Sequence, residues 1–132
     1  MPAGSSQTRL SFWHRRNFET GYDGGTLTLS VDGVNYEYVP ASAILSGSTY
    51  NGTIAPDCSP SAEATGASVF TGTSSSFTNT TVNLDAACNI LTGGTGGCAG
   101  RTLFIGFTSI TDCTVTGDGW FLDDVTVTAC TP

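Results

Sequence analysis

Short runs rich in Val, Thr, Phe and Tyr recur along the whole chain, separated by Gly, Asn, Asp and Pro, and no window carries a sustained helical period. The pattern predicts an all-β fold, with strands over 10–18, 25–31, 35–39, 67–71, 77–84, 102–109 and 119–128. Asp32-Gly33 lies between two alternating runs. That dipeptide suits a tight turn with positive φ, so 24–39 is expected to form a hairpin. Residues 41–64 mix apolar positions with Ser, Gly, Asn and two prolines, which fits a long excursion over a sheet. Seven or eight strands suit a two-sheet antiparallel sandwich.

Alternation says which polar side chains such a sandwich has to bury. In 10–16, Leu10, Phe12 and His14 share one face, opposite Ser11, Trp13 and Arg15. In the last run, strict alternation puts Phe121, Asp123, Val125 and Val127 on one face. If the valines point to the core, so does Asp123, and a buried carboxylate needs a hydrogen bond, a cation or an ion pair. His14, the arginines of the first strand, backbone amides and a metal ion are the available partners. A lone strand histidine is more often a satisfied core group than a catalyst.

A second group is Glu19-Thr-Gly-Tyr-Asp23-Gly-Gly, where carboxylates flank a glycine-rich bend. Oxygen ligands at such a bend suit Ca²⁺. A solvated turn in which Asp23 caps backbone amides accounts for the same residues. Asp112, Asp118 and Asp124 fall near the last strand and the loop before it. They join Glu19 and Asp23 in an acidic end of the sandwich or are scattered surface acids, and scatter is the reading favoured for Asp112 and Asp118. Among aromatic platforms for a sugar ring, Tyr50 in the long loop stands out. Its neighbour Asn51, which opens one of two glycosylation sequons, and Trp13 on the first strand complete the candidate ligand contacts.

Composition narrows the function. The 132 residues carry a net charge of −7, with no lysine and four arginines. Binding to nucleic acid through phosphate neutralisation is therefore disfavoured. The length suits one domain, expected over 10–130, with 1–9 a leader or a remnant first strand. Met1 ahead of Pro-Ala-Gly-Ser-Ser reads as a start placed before a module excised from a longer chain. No stretch approaches the apolar length of a membrane helix. The five cysteines, several beside Gly, Ser or Asp, favour disulfides and an oxidising, secreted or cell-surface setting. Cys88 with Cys98 is the best pair and Cys58 with Cys113 the next, which leaves Cys130 odd. One histidine and no lysine leave little for catalysis, so the chain is expected not to be an enzyme.

The blocks Leu10-Ser-Phe-Trp-His-Arg-Arg-Asn-Phe-Glu-Thr-Gly-Tyr-Asp-Gly-Gly and Gly119-Trp-Phe-Leu-Asp-Asp-Val-Thr-Val, with Tyr50-Asn-Gly-Thr-Ile between them, resemble the MAM-like jelly-roll domains appended to secreted bacterial peptidases and other exported proteins. The resemblance spans Leu10 to Val127. It implies a jelly-roll-like sandwich that is non-catalytic, often calcium-stabilised, and used for adhesion, glycan contact or domain assembly. By position it implies Glu19, Asp23 and Asp123 as the polar cluster. Related domains usually begin with a further strand, here absent or reduced to 3–8, which puts calcium affinity in question and leaves a groove for a neighbouring chain's strand. Two functions follow as expectations. One is an extracellular accessory or adhesion module whose partner is a glycan or protein surface. The other is a structural subunit of a fibre or appendage, joined to neighbouring domains or copies of itself by strand exchange or disulfides.

Overall fold

The computed structural model describes residues 1–56, 64–112, 115 and 117–132. It is an all-β antiparallel sandwich with one short helix. The strands are β1 (Ser6–Asn17), β2 (Gly24–Ser30), β3 (Glu37–Tyr38), β4 (Ile44–Gly47), β5 (Gly52–Thr53), β6 (Ser68–Val69), β7 (Thr78–Asn83), β8 (Phe104–Ile110) and β9 (Gly119–Cys130), with α1 (Leu84–Thr92) between β7 and β8. One sheet has the order β4-β7-β1-β9, the second β3-β2-β8, and β5 pairs with β6 in a small third sheet.

All seven expected strands are present. The strand expected from residue 10 starts earlier, at Ser6, so 6–9 extend β1; Thr8 is fully buried. The long excursion contains β4 and β5 and a 3₁₀ turn, Ala41–Ala43. The hairpin of β2 and β3 forms, but through a six-residue connection instead of a two-residue turn. Asp32 organises that connection by accepting from the amides of Asn35 and Val34, both at 2.8 Å. Those bonds hold its carboxyl well below the usual carboxylate range.

The helix takes the last residue of the strand expected over 77–84 and runs on to Thr92. Asn83 caps it, accepting from the amide of Ala86 at 3.1 Å, and Gly93 ends it in the left-handed region. Asp85 in its first turn accepts from the amides of Thr8 at 2.9 Å and Cys98 at 3.0 Å, which ties the helix to β1 and to the loop that follows. Burial pushes the Asp85 carboxyl up, but the amides of Cys98 and Thr8 outweigh it and hold the group below its ordinary value. Cys88 and Cys98 form the expected disulfide. Cys58 and Cys113 lie outside the described residues, and Cys130 is a free, exposed thiol.

The core lies between the two main sheets. Leu10, Phe12, Leu27, Leu29, Phe70 and Val82 are almost wholly buried within it. An aromatic group of Phe12, His14, Phe70, Phe107 and Trp120 fills the middle, with Phe12 edge-on to Phe107 at 5.2 Å and His14 against Phe70 at 4.6 Å.

Candidate functional site

The carboxylates of the sequence meet through strand register. Gly24 at the start of β2 pairs with Ile110 at the end of β8. Asp23, one residue before that pair, and Asp112, two residues after it, therefore emerge at the same end of the sandwich. The amide of Asp112 donates to Oδ1 of Asp23 at 2.7 Å. Glu19 reaches the same point because 19–23 forms a tight bend, in which its carbonyl accepts from the amides of Tyr22 at 3.2 Å and Asp23 at 2.9 Å. Thr71 clamps the bend from below, donating its hydroxyl to the carbonyl of Asp23 at 2.6 Å and accepting from the amide of Gly21 at 3.0 Å.

One carboxylate oxygen from each of Glu19, Asp23 and Asp112 lies within 4.8 Å of the others, and Asp23 is buried. Two ligands on opposite sides of one Ca²⁺ are about 4.8 Å apart, twice a typical Ca–O bond, so the spacing fits one shared ion. The donor set is all oxygen and anionic, which matches a hard cation and excludes the soft-ligand chemistry of zinc or copper thiolate sites.

Asp123 is not part of this group. Between the pairs Ser11–Thr126 and Trp13–Asp123, β9 contributes two residues to one on β1, a β-bulge at Asp124, whose φ is +49°. The bulge breaks the strict alternation. Leu122 lies opposite the buried His14 and Val127 opposite the buried Leu10, whereas Asp123 lies opposite the exposed Trp13 on the outer face. Asp123 instead accepts from the amide of Asp124 at 2.8 Å and so stabilises the bulge itself. Asp118 accepts from the side chain of Asn17 at 3.0 Å.

His14 needs no carboxylate. Its Nδ1 accepts from the indole N–H of Trp120 at 3.0 Å, and its Nε2 lies 2.9 Å from Oγ1 of Thr80. The Thr80 hydroxyl donates to the carbonyl of Ser48 at 2.6 Å, so Nε2 carries the proton and donates to Thr80. Burial, with a smaller contribution from Arg16, lowers the imidazole to about 4. The ring is a neutral core group with both nitrogens engaged.

Of the candidate ligand contacts, Tyr50 turns inward. Its hydroxyl donates to the carbonyl of Val39 at 2.9 Å and accepts from the amide of Leu27 at 3.3 Å, while its ring packs against Phe70. Asn51 pairs its amide group with the backbone of Thr71 in both directions, at 2.8 and 3.1 Å. Both hold the long loop to the core. Trp13 stays 44% exposed on the outer face of the four-stranded sheet.

Asp112 is the member that sequence reasoning set aside. Its signal is the pairing of β2 with β8, which no local pattern carries. Among the described residues, no helix is long and apolar enough to cross a membrane. No known protein family, curated protein or solved structure matches the chain.

Proposed function

We propose that this chain is a non-catalytic, calcium-stabilised accessory or adhesion module of an exported protein, MAM-like in its jelly-roll architecture, that contacts glycan or protein surfaces. The observation that carries the reading is the convergence of Glu19, Asp23 and Asp112. Three carboxylates at that spacing repel one another, and a divalent cation turns the repulsion into a crosslink between the 19–23 bend and the end of β8. The Cys88–Cys98 disulfide supports an oxidising setting. The burial of His14, with both nitrogens in use, supports a role other than hydrolysis.

Thermal unfolding in millimolar Ca²⁺ and in excess chelator tests this. An ion that binds only the folded chain adds about 2.7 kcal/mol at a hundredfold excess over its Kd. The shift is expected to vanish in Asp112→Asn and to persist in Asp123→Asn. Identical midpoints in calcium and chelator overturn the calcium reading.

A second reading, a subunit assembled by strand exchange or disulfides, draws on β9. This twelve-residue strand is an edge, paired only with β1 among the described residues. Leu122, Val125 and Val127 on it are 36–48% exposed, and the free Cys130 stands at its end. Asp123 and Asp124 at its centre oppose pairing with the same strand of a second copy, so this reading ranks below the first. Sedimentation of the oxidised protein as a monomer at high concentration excludes it.

A further inference from the structure

The outer face of the four-stranded sheet carries a second constellation, distinct from the acidic group. Trp13 lies on β1 between Asn79 of β7 and Asp123 of β9, one residue of each strand in a single cross-strand row. Two positions along β1, roughly 7 Å away, Arg15 lies opposite Phe121. Its guanidinium carbon is 4.6 Å from the Phe121 ring centroid and 6.0 Å from that of Phe77. Trp13, Phe77 and Phe121 are each more than a third exposed.

Two features say what this face receives. First, no hydrogen bond or ion pair among the described residues takes up the Arg15 guanidinium. It is braced on aromatic rings with its N–H edges uncommitted, an arrangement that presents a planar fork to a carboxylate or sulfate. Arg9 lies on the same side of β1, opposite Asn83, so two of the four cations of a chain with net charge −7 share this face. Second, the positions paired across the strands around the rings carry hydroxyl side chains, Ser11, Thr81 and Thr126, and the amide of Asn79, rather than the aliphatic residues that form the dry centre of a protein–protein interface. Flat exposed rings in a field of hydroxyls and amides match the apolar C–H faces and hydroxyl edges of a sugar.

We infer that Trp13, Arg15, Phe121 and Asp123 form a binding site for an anionic glycan. A pyranose ring stacks on Trp13, its carboxylate or sulfate meets the Arg15 fork, and Asp123 accepts sugar hydroxyls at the other end of the row. The inference rests on the reading of the chain as a surface-contacting module, and it supplies that module's ligand class. It does not depend on the acidic group at the end of the sandwich.

The test is binding of the whole chain to an array of uronate-, sialate- and sulfate-bearing glycans printed beside their neutral parent sugars, in calcium and again in chelator. Anionic glycans are expected to bind at least tenfold better than the neutral parents, with the difference shrinking as salt rises. Trp13→Ala is expected to abolish binding and Trp13→Phe to retain part of it. Arg15→Gln is expected to weaken binding at least tenfold, with unfolding midpoints within a few degrees of the parent in all three variants. Equal binding to neutral glycans, binding unchanged in Trp13→Ala, or no glycan bound overturns the proposal. A calcium-dependent midpoint without glycan binding would overturn this site while leaving the calcium-stabilised module standing.

Discussion

The indole N–H of Trp120 on β9 donates to Nδ1 of His14 on β1, and this one bond fixes the tautomer of the only histidine in the chain. Protonating His14 places a second N–H against that of Trp120 in a site closed to water. Burial, with a smaller contribution from Arg16, holds the folded pKa at about 4, below the ordinary 6.5. A group depressed in this way contributes stability that is complete above pH 6.5 and is lost as pH falls through its folded value. The loss is expected to reach about 3 kcal/mol by pH 4, at up to about 1.4 kcal/mol per pH unit. Urea unfolding between pH 7 and 5, above the range where carboxylates titrate, checks the slope. An NMR titration that keeps the imidazole neutral to pH 5 checks the cause.

Trp120 also lies flat against β2, and there the close contact is with a missing side chain. A Cβ at Gly25 would sit 2.5 Å from the indole ring. Gly25→Ala is expected to cost about 1–3 kcal/mol by overpacking and to disturb the His14 bond with it. Chemical denaturation gives the first quantity, and a rise in the His14 pKa reports the second.

The disulfide between Cys88 and Cys98 closes a loop with a sequence separation of 10. Its reduction is expected to lower stability by about 3 kcal/mol through chain entropy. Asp85→Ala removes the acceptor of two backbone amides, and its cost is expected to be about 1.5–3 kcal/mol. Both act on the seam between α1, the loop after it and β1, so the two costs should not add. A thermodynamic cycle over the oxidised and reduced forms of both chains measures the coupling.

Asp124 occupies the left-handed region at the β9 bulge. Asp124→Gly is expected to be neutral or mildly stabilising, since glycine adopts that conformation freely. Asp124→Val, β-branched, is expected to cost about 1–3 kcal/mol. Thermal unfolding of the pair tells the two apart.

Much of the architecture was legible because alternation is a local signal. Period alone puts Phe12 and His14 on one face of β1 and Trp13 on the other, and the buried and exposed positions of β1 follow that phase. The same reasoning failed at Asp123, because one inserted residue resets the phase and nothing in a run of Phe-Leu-Asp-Asp-Val marks where the insertion falls. The helix was missed although its cap, Asn83, and its stop, Gly93, are both in the sequence. Nine residues are too few to show a period against a background of strands. Asp23 and Glu19 were found from their own bend, whereas Asp112 joined them through the register of β2 on β8, a relationship between segments nearly ninety residues apart that only the folded chain displays.

The middle of β1 is enclosed by strands on both edges, and its two faces serve different masters. Even-numbered residues, Leu10, Phe12 and His14, are locked into the core; odd-numbered ones, Ser11, Trp13 and Arg15, meet the outside. Mutation at the odd positions can therefore retune what the surface recognises while the fold stays as it was. A single strand thus separates adaptation from folding, and variation among natural versions of this chain is expected to concentrate on every second residue of it.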